Sequence, residues 1–322
     1  MSQYEDCRER SAAARKESPT VAILLSTHNG ARYLAQQLDS IINQSYPHWQ
    51  LAVSDDGSCD GTLDILLEYQ RRLGHERLTI QPGPCLGFYA NFLSLVLDGT
   101  ITADAYAYCD QDDLWHPDRL ERGLEWLAGV PAGLPALYCG RTRLVDERGQ
   151  YLGQSPLFDR PPTFINSLVQ SLAGGNTMLF NHAARGLLID AGQLPIVSHD
   201  WWTYMLVSGA GGQVYYDKTP SIDYRQHGGN LIGANSSLSD RLYRLRRMFA
   251  GHFKQWNDIN IESLRCCQHL LTDQHREVLL TFAMARKKSL LLRCRGVLRS
   301  GVYRQTLLGN LGLVAAILLG KI

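Results

Sequence analysis

The sequence predicts an α/β fold in which a mostly parallel, twisted sheet is flanked by helices and followed by a helical C-terminal extension. Apolar runs of strand type alternate with segments of helical periodicity up to residue 113, which is typical of a doubly wound parallel sheet. Charge is divided unevenly: residues 1–235 carry 17 Lys and Arg against 26 Asp and Glu, whereas residues 236–322 carry 15 against 5. This division indicates a basic segment that is distinct from the α/β part.

The first half of the chain supplies four predicted strands with helices between them. The run Thr20–Thr27 is apolar almost throughout, as expected of a strand buried on both faces, and Asn29-Gly30 ends it. The other predicted strands are Gln50–Ser54, Leu78–Gln81 and Ala105–Cys109, and the helices are Leu34–Ile42, Leu63–Leu73 and Phe88–Leu97.

Beyond residue 130 the alternation loosens. Extended segments are predicted at Leu134–Cys139 and Arg141–Tyr151, with a hairpin around Glu147-Arg148-Gly149, and a tight turn at Gly174-Gly175-Asn176 leads into another strand. Helices Ala183–Ala191 and Asp200–Val207 and strands Gln213–Asp217 and Ile222–Gln226 follow, and the pattern is helical and basic from Leu238. We therefore expect a disordered tail at 1–18, an α/β domain at 19–235 and a basic and apolar helical extension at 236–322.

The most informative feature is an acidic run at the end of the fourth strand. Asp110, Asp112 and Asp113 place three carboxylates within four residues, and such close like charges repel one another unless a cation lies among them. A hard divalent ion that keeps positions open for phosphate oxygens is the natural neutraliser. The alternative is a polar turn in which Asp113 caps the next helix.

Three polar strand ends are expected to converge, because the C-terminal ends of parallel strands share one edge of the sheet. They are Ser26–Asn29, Asp55-Asp56 and Asp110–Asp113. Their carboxylates suit a nucleotide. No GxGxxG or GxxxxGK[ST] loop is present to bind phosphates, which argues against a dinucleotide dehydrogenase or a P-loop NTPase. A diphosphate would then be bound mainly by the metal.

These same residues carry a family resemblance that covers roughly residues 20–235. The strings AILLSTHNG at 22–30, QSY at 44–46 and SDDGSCDGT at 54–62 resemble the amino half of family 2 glycosyltransferases, which have the GT-A fold. The DQDDLWHPDRL string at 110–120, SHDWW at 198–202 and YRQHGGN at 224–230 resemble motifs of a bacterial subgroup that includes rhamnosyltransferases of surface polysaccharide assembly.

The resemblance implies roles at the donor site. Asp56 would contact the nucleotide base, and Ser26 and Asn29 would lie beside the nucleotide. Asp112 of the DxD element would bind a divalent metal, Mn²⁺ or Mg²⁺, with Asp110 near the ribose or an outer-shell water. The cation would stabilise the charge that develops on the departing diphosphate.

Later motifs supply further candidates. Asp200 is the expected general base of an inverting transfer, and Trp201 and Trp202 after it would stack on sugar rings; alternatively both are core residues and Asp200 is a helix N-cap. His227 would complete the metal site or meet the diphosphate, although a lone histidine is more often structural, and Arg225 would pair with phosphate.

Two further positions complete this side of the site. The turn at Gly174-Gly175-Asn176 would form part of the acceptor side, or would be a plain β-turn. His199 stands where many relatives have Glu, so the resemblance assigns it no role.

The C-terminal extension predicts a contact with a membrane surface. Thr306–Gly320 is almost purely apolar, but its 15 residues fall short of the roughly 20 that a helix needs to cross a bilayer. An interfacial helix with basic residues toward anionic headgroups is expected, the alternative being packing on the catalytic domain or on a homodimer partner. No nucleic-acid recognition module is identifiable.

The expected protein is a metal-dependent, inverting glycosyltransferase that moves a sugar from a nucleoside-diphosphate donor to a glycan or lipid-linked acceptor. By resemblance the preferred donor is dTDP-rhamnose, with UDP-sugars still open. The eight cysteines show no paired spacing and residues 1–18 resemble no secretory signal, which favours the cytoplasm and the inner face of the membrane. The alternatives are a sugar-phosphate nucleotidyltransferase, which lacks its usual basic loop here, and an inactive nucleotide-sugar or glycan-binding protein.

Overall fold

The computed structural model describes residues 18–131, 133–228 and 251–322. Nearly all of the tail predicted to be disordered, and the beginning of the predicted basic extension, lie outside these ranges. The predicted architecture is otherwise confirmed: a mostly parallel sheet is flanked by helices and followed by a helical C-terminal region.

The central sheet has seven strands. They are β1 (Val21–Thr27), β2 (Trp49–Asp55), β3 (Leu78–Pro82), β4 (Ala105–Cys109), β6 (Ala136–Gly140), β9 (Leu179–Asn181) and β10 (Gln213–Asp217). Four parallel neighbours, β4-β1-β2-β3, form one side of the sheet. On the other side, β6 and β10 lie beyond β9, which runs antiparallel to both β4 and β6.

A second, four-stranded sheet was not predicted as such. It has the order β5-β11-β7-β8, with β5 (Leu114–Trp115), β7 (Arg143–Val145), β8 (Tyr151–Gln154) and β11 (Ile222–Arg225). The predicted hairpin is confirmed in the antiparallel pair β7–β8. Because β5 directly follows the acidic run and pairs with β11, this sheet connects two motifs that are far apart in sequence.

Helices cover both faces of the central sheet, which explains why β1 is apolar at successive positions. Val21, Ile23 and Leu25 face one core cluster, whereas Ala22 and Leu24 face the other. The helices of the α/β part are α1 (Leu34–Ile42), α2 (Thr62–Leu73), α3 (Phe88–Leu97), α4 (Arg119–Ala128), the single turn α5 (Phe164–Ser167), α6 (His182–Ala191) and α7 (His199–Gly209).

The C-terminal region contributes four more described helices: α8 (His252–Cys266), α9 (Asp273–Arg286), α10 (Leu290–Ser300) and α11 (Leu307–Leu318). Their buried residues, such as Leu264, Phe282 and Ile317, belong to the same core cluster as Trp202 of α7. The extension therefore packs on the α/β part through a shared core. Among the described residues, no helix has the length and apolar character required to traverse a bilayer.

Candidate active site

The ends of β1, β2 and β4 are joined by hydrogen bonds at one edge of the sheet. The amide of Asp56 donates to the carbonyl of Thr27 at 2.8 Å. The side chain of Gln111 accepts from the amide of His28 at 2.8 Å and donates to the carbonyl of His28 at 3.0 Å. These bonds connect the acidic run to the loop after β1, so the predicted convergence of the first, second and fourth strand ends is present.

The two neighbouring carboxylates at the end of β2 make different contacts. Asp55 is buried and accepts from Thr27 Oγ1 at 2.8 Å and from Ser58 Oγ at 2.6 Å, so it organises the turn. Asp56 is partly exposed and accepts from the amides of Cys85 at 2.6 Å and Gly87 at 3.2 Å. Asp56 is thereby held at the edge by the loop that follows β3.

The two polar residues expected beside the nucleotide also lie at this edge. Ser26 Oγ accepts from Asn91 Nδ2 at 2.7 Å. Asn29 is exposed and has a left-handed backbone with φ of 49°, and its Oδ1 accepts from the amide of Cys59 at 2.8 Å. Asn tolerates this conformation better than most residues.

Sequence reasoning missed two residues that fix this region, Gln111 and Asn91. A Cβ on Gly30 would lie 2.2 Å from Gln111 Oε1, so a larger residue at position 30 would displace the Gln111 side chain from its hydrogen bonds to His28. Asn91 is buried and donates to Ser54 O at 2.9 Å as well as to Ser26. A signal for Asn91 was present, because it is the one amide side chain in the apolar helix FYANFLSLVL.

Asp112 and His227 meet although 115 residues separate them. His227 Nε2 lies 2.8 Å from Asp112 Oδ2. The pairing of Asp223 with Leu114, between β11 and β5, sets this encounter, because it brings the residues after β11 alongside those before β5.

Arg225 lies behind this pair rather than facing outward. It is 2% exposed, and its guanidinium donates to the carbonyls of Asp112 and Glu147 at 3.0 and 2.9 Å and to Gln36 Oε1 at 2.7 Å. These contacts hold the backbone at Asp112 and differ from the expected direct pairing with phosphate.

Asp113 does not cap a helix, so that alternative is wrong. The residue before α4 is Asp118, and Asp113 is buried, where its Oδ2 accepts from Asn176 Nδ2 at 2.5 Å and its Oδ1 from the amide of Arg225 at 3.2 Å. Burial, and then the charges of Asp112 and Asp110, raise the pKa of the Asp113 carboxyl well above its ordinary value.

Asp200 stands in the first turn of α7. Its Oδ1 accepts from the amide of Trp201 at 2.6 Å and from the Ser198 hydroxyl, and Ser198 is the N-cap residue, so the N-cap alternative for Asp200 is wrong. Burial, followed by the charges of Asp112 and Asp200, raises the pKa of Asp110. Asp112 and Asp200 therefore both lie in the neighbourhood of Asp110.

The two tryptophans after Asp200 are core residues, and the expectation that they stack on sugar rings is wrong. Trp201 is 5% and Trp202 1% exposed, and Trp201 Nε1 donates to the carbonyl of Ser167 at 2.6 Å. The alternative that both tryptophans are core residues is correct, because nearly every residue of α7 is buried.

His199 is buried beside Asp200. Its ring stacks on Phe92 with centroids 3.9 Å apart and meets Tyr108 edge-on at 4.7 Å. Within the described residues neither ring nitrogen has a hydrogen-bond partner, and burial lowers the pKa of His199 to about 4. A Cβ on Gly175 would lie 2.3 Å from His199 Nε2, so the close contact between this backbone and the His199 ring requires glycine at position 175.

The donor set at Asp112 fits a divalent cation. Two potential ligands already meet at Asp112 and His227, with the Asp110 carboxyl nearby, and a cation would relieve the repulsion among the carboxylates. No three His, Cys, Asp or Glu side chains form a complete metal cage in the ranges that the structure describes. A cation that acts on a diphosphate takes ligands from phosphate and water, so an incomplete protein cage suits that task.

Comparisons with known proteins agree with this architecture. The sequence model described as Glycosyl transferase family 2 matches residues 22–181. The chain is 28% identical over 237 residues to the dTDP-rhamnosyl transferase RfbG of Shigella flexneri, covering 69% of this chain and 78% of that protein. It is 35% identical over 109 residues to the putative glycosyltransferase EpsE of Bacillus subtilis, covering 34% and 38% of the two chains.

Two solved structures share the fold. Residues 1–349 of S. aureus TarS in complex with UDP-GlcNAc align with a TM-score of 0.54 and 15% identity, over 87% of this chain and 79% of that one. The mannosyltransferase PcManGT from Pyrobaculum calidifontis, in complex with GDP-Man and Mn²⁺, aligns with a TM-score of 0.50 and 18% identity, over 99% and 92%. Through its domain at residues 22–181, and with the GT-A fold, the chain belongs to glycosyltransferase family 2.

Proposed function

We propose that this glycosyltransferase moves a sugar, with inversion and with the help of a divalent cation, from a nucleoside diphosphate to a hydroxyl of a glycan or lipid-linked acceptor. The observation that carries the proposal is the gathering of Asp56, Asp112 with His227, and Asp200 around the C-terminal ends of β1, β2 and β4. These residues would recognise the nucleotide, hold the cation that neutralises the diphosphate and remove the acceptor proton, all at one edge of the sheet.

In this proposal the base of the donor lies against Asp56. Two backbone amides hold the Asp56 carboxylate, and each of its oxygens retains a lone pair that can accept from a base N–H. Ser26 and Asn29 line the same edge, and Asp110 lies toward the ribose. Support comes from the partial exposure of Asp56, in contrast to the buried Asp55 beside it.

The cation would be held by Asp112 and His227, with Asp110 as a direct or outer-shell partner. When bound, it supplies positive charge to the leaving diphosphate. Arg225 keeps the backbone of Asp112 in place through its hydrogen bond at 3.0 Å. It acts here as a positioning residue, because its side chain is buried and also donates to the carbonyl of Glu147 and to Gln36 Oε1.

Asp200 would remove the proton from the acceptor hydroxyl. Both described hydrogen bonds to its carboxylate end on Oδ1, from Ser198 and from the Trp201 amide, and no described residue donates to Oδ2. Oδ1 therefore fixes the orientation of the carboxylate while Oδ2 can take the proton. A general base contributes roughly 10²–10⁴-fold to a rate.

The preferred donor is dTDP-rhamnose, which the similarity to RfbG supports, with UDP-sugars as the alternative. We place residues 19–235 in the catalytic domain, with 236–322 as an extension that stabilises it. The acceptor would be a precursor of a cell-surface polysaccharide, and the enzyme would work in the cytoplasm at the inner face of the membrane. The turn at Gly174-Gly175-Asn176 would border the acceptor side.

The test is nucleotide release from a panel of nucleotide sugars, with and without Mn²⁺ or Mg²⁺, in the presence of a cell-wall glycan extract as acceptor. We expect release to require the cation and one donor. Asp200→Asn should bind that donor with normal affinity in calorimetry yet lose transfer by at least about 100-fold. Asp190→Asn, an exposed carboxylate on α6, is the matched control. Near-normal turnover by Asp200→Asn would reject the assignment of the base.

A further inference from the structure

The last helix of the chain presents apolar side chains to solvent. Four residues of α11 with the spacing of one helical face are all more than half exposed: Leu307 (78%), Leu311 (58%), Val314 (51%) and Leu318 (54%). The opposite face, with Leu313, Ala316 and Ile317, is buried against the protein. A helix that is apolar on all sides is normally covered on all sides, so the outward face of α11 calls for a partner.

The neighbouring helix α10 carries further exposed leucines together with exposed cations. Leu291 is 83% and Leu298 78% exposed, and Arg295 and Arg299 on the same helix are exposed as well. Lys287 and Lys288, just before α10, are also exposed. We call the exposed leucines and cations of residues 287–318 the basic leucine face.

The segment that carries these cations has no acidic residue of its own. The last Asp or Glu in the sequence is Glu277. Arg293 is used internally, since its Nε donates to the carbonyl of Ile317 at 2.7 Å and so fastens α10 to α11. The exposed leucines of α10 and α11 are therefore accompanied by positive charge. Single exposed leucines are normal on a monomer, but a row of them along a helix indicates an interaction surface.

The charge pattern decides between the partners that an apolar face could have. In a twofold dimer the same patch meets itself, so Arg295 and Arg299 would oppose the cations of the second copy. An anionic bilayer accepts both components, because its headgroups attract the cations while its interface takes the leucines. The 12 residues of α11 are too few to cross a bilayer, where roughly 20 are needed.

We propose that the basic leucine face docks the enzyme on an anionic lipid surface, with α11 lying along the interface and Arg295 and Arg299 at headgroup level. The membrane location proposed above is thereby assigned a lipid class and a set of contacting residues. Docking on the lipid does not depend on the identity of the donor or the acceptor. Because Val297, Leu313 and Ile317 are core residues, removing these helices would damage the fold. Substitutions of exposed residues in the full chain are the appropriate test.

The experiment measures co-sedimentation of the full-length protein with vesicles of phosphatidylcholine alone or mixed equally with phosphatidylglycerol. The apolar variant is Leu307→Gln with Leu311→Gln, and its matched control is Leu63→Gln with Leu67→Gln, an exposed pair on α2 with the same spacing. The charge variant is Arg295→Gln with Arg299→Gln, matched by Arg71→Gln with Arg72→Gln on α2. Circular dichroism and nucleotide release confirm that each variant is folded.

We expect the wild type to bind the mixed vesicles well and the neutral vesicles weakly. The apolar variant should lose at least tenfold in affinity, and the charge variant about 30-fold on mixed vesicles only, since each cation contributes about a fivefold factor. Equal binding by the apolar variant and its control, or no binding by the wild type, would overturn the proposal. So would a wild-type dimer in analytical ultracentrifugation that the apolar variant dissociates while vesicle binding stays unchanged.

Discussion

The buried imidazole of His199 makes the stability of this protein depend on pH in a predictable direction. His199 is 4% exposed between Phe92 and Tyr108, and no described group accepts or donates a hydrogen bond at its ring nitrogens. Burial lowers its pKa to about 4 from an ordinary 6.5, and the charge of Asp200, which acts in the opposite direction, only partly compensates. The folded protein therefore keeps this ring neutral under conditions where the unfolded chain protonates it.

The magnitude follows from this difference in pKa. Above pH 6.5 neither state binds the proton, and the contribution of the neutral ring to stability is complete. As the pH falls from 6.5 toward 4, unfolding takes up a proton and stability is lost, at about 1.4 kcal/mol for each pH unit. The total loss is about 3 kcal/mol, of which about 2 kcal/mol is gone by pH 5.

Urea denaturation at pH 7.5 and pH 5.0 measures this loss. In His199→Asn the decrease in the free energy of unfolding between the two pH values should be smaller than in the wild type by about 2 kcal/mol. His75→Asn, at an exposed histidine before β3, should behave like the wild type. Asp110 and Asp113, whose raised pKa values act in the opposite direction, remain in all three proteins and cancel in the comparison. The same pH dependence in His199→Asn and wild type would refute the reasoning.

Three further predictions concern the site. Gln111→Glu removes the donor that bonds the His28 carbonyl and places a carboxylate beside it; we expect KM for the donor to rise about tenfold with a smaller change in kcat, measured in steady-state assays. Gly175→Ala should lower the free energy of unfolding by about 1–3 kcal/mol in urea titration, because its Cβ would collide with the ring of His199. Mn²⁺ should raise the melting temperature of the wild type but not that of Asp112→Asn in scanning fluorimetry; equal shifts would place the cation elsewhere.

The strands that end at the candidate site could be predicted because each is an apolar run with a polar stop. Ala105–Cys109 and Phe88–Leu97 have the predicted bounds in the structure, since a fully buried strand and a covered helix both show in their periodicity. The second sheet could not be predicted, because β5 has only two residues and its pairing with β11 depends on the rest of the fold. Short edge pairings have no periodic signal in sequence.

The surroundings of the candidate residues could not be predicted. Asp112 and His227 are in contact, and Arg225 is buried behind them. The burial of an arginine side chain cannot be read from the residues next to it in the sequence. Trp201 and Trp202 were expected to stack on sugars, but both rings lie in the core cluster that α7 shares with the C-terminal helices. Which side of a helix is covered depends on segments as distant as α8 to α11.

The pairing of β5 with β11 has a consequence for biogenesis. During synthesis the DQDD run emerges more than a hundred residues before His227, so an incomplete chain carries the carboxylates of this run without the histidine that contacts Asp112. Contacts between such distant segments form late and slowly. The proposed cation site would therefore be complete only after the ribosome has released the last strand of the second sheet and the residues that follow it.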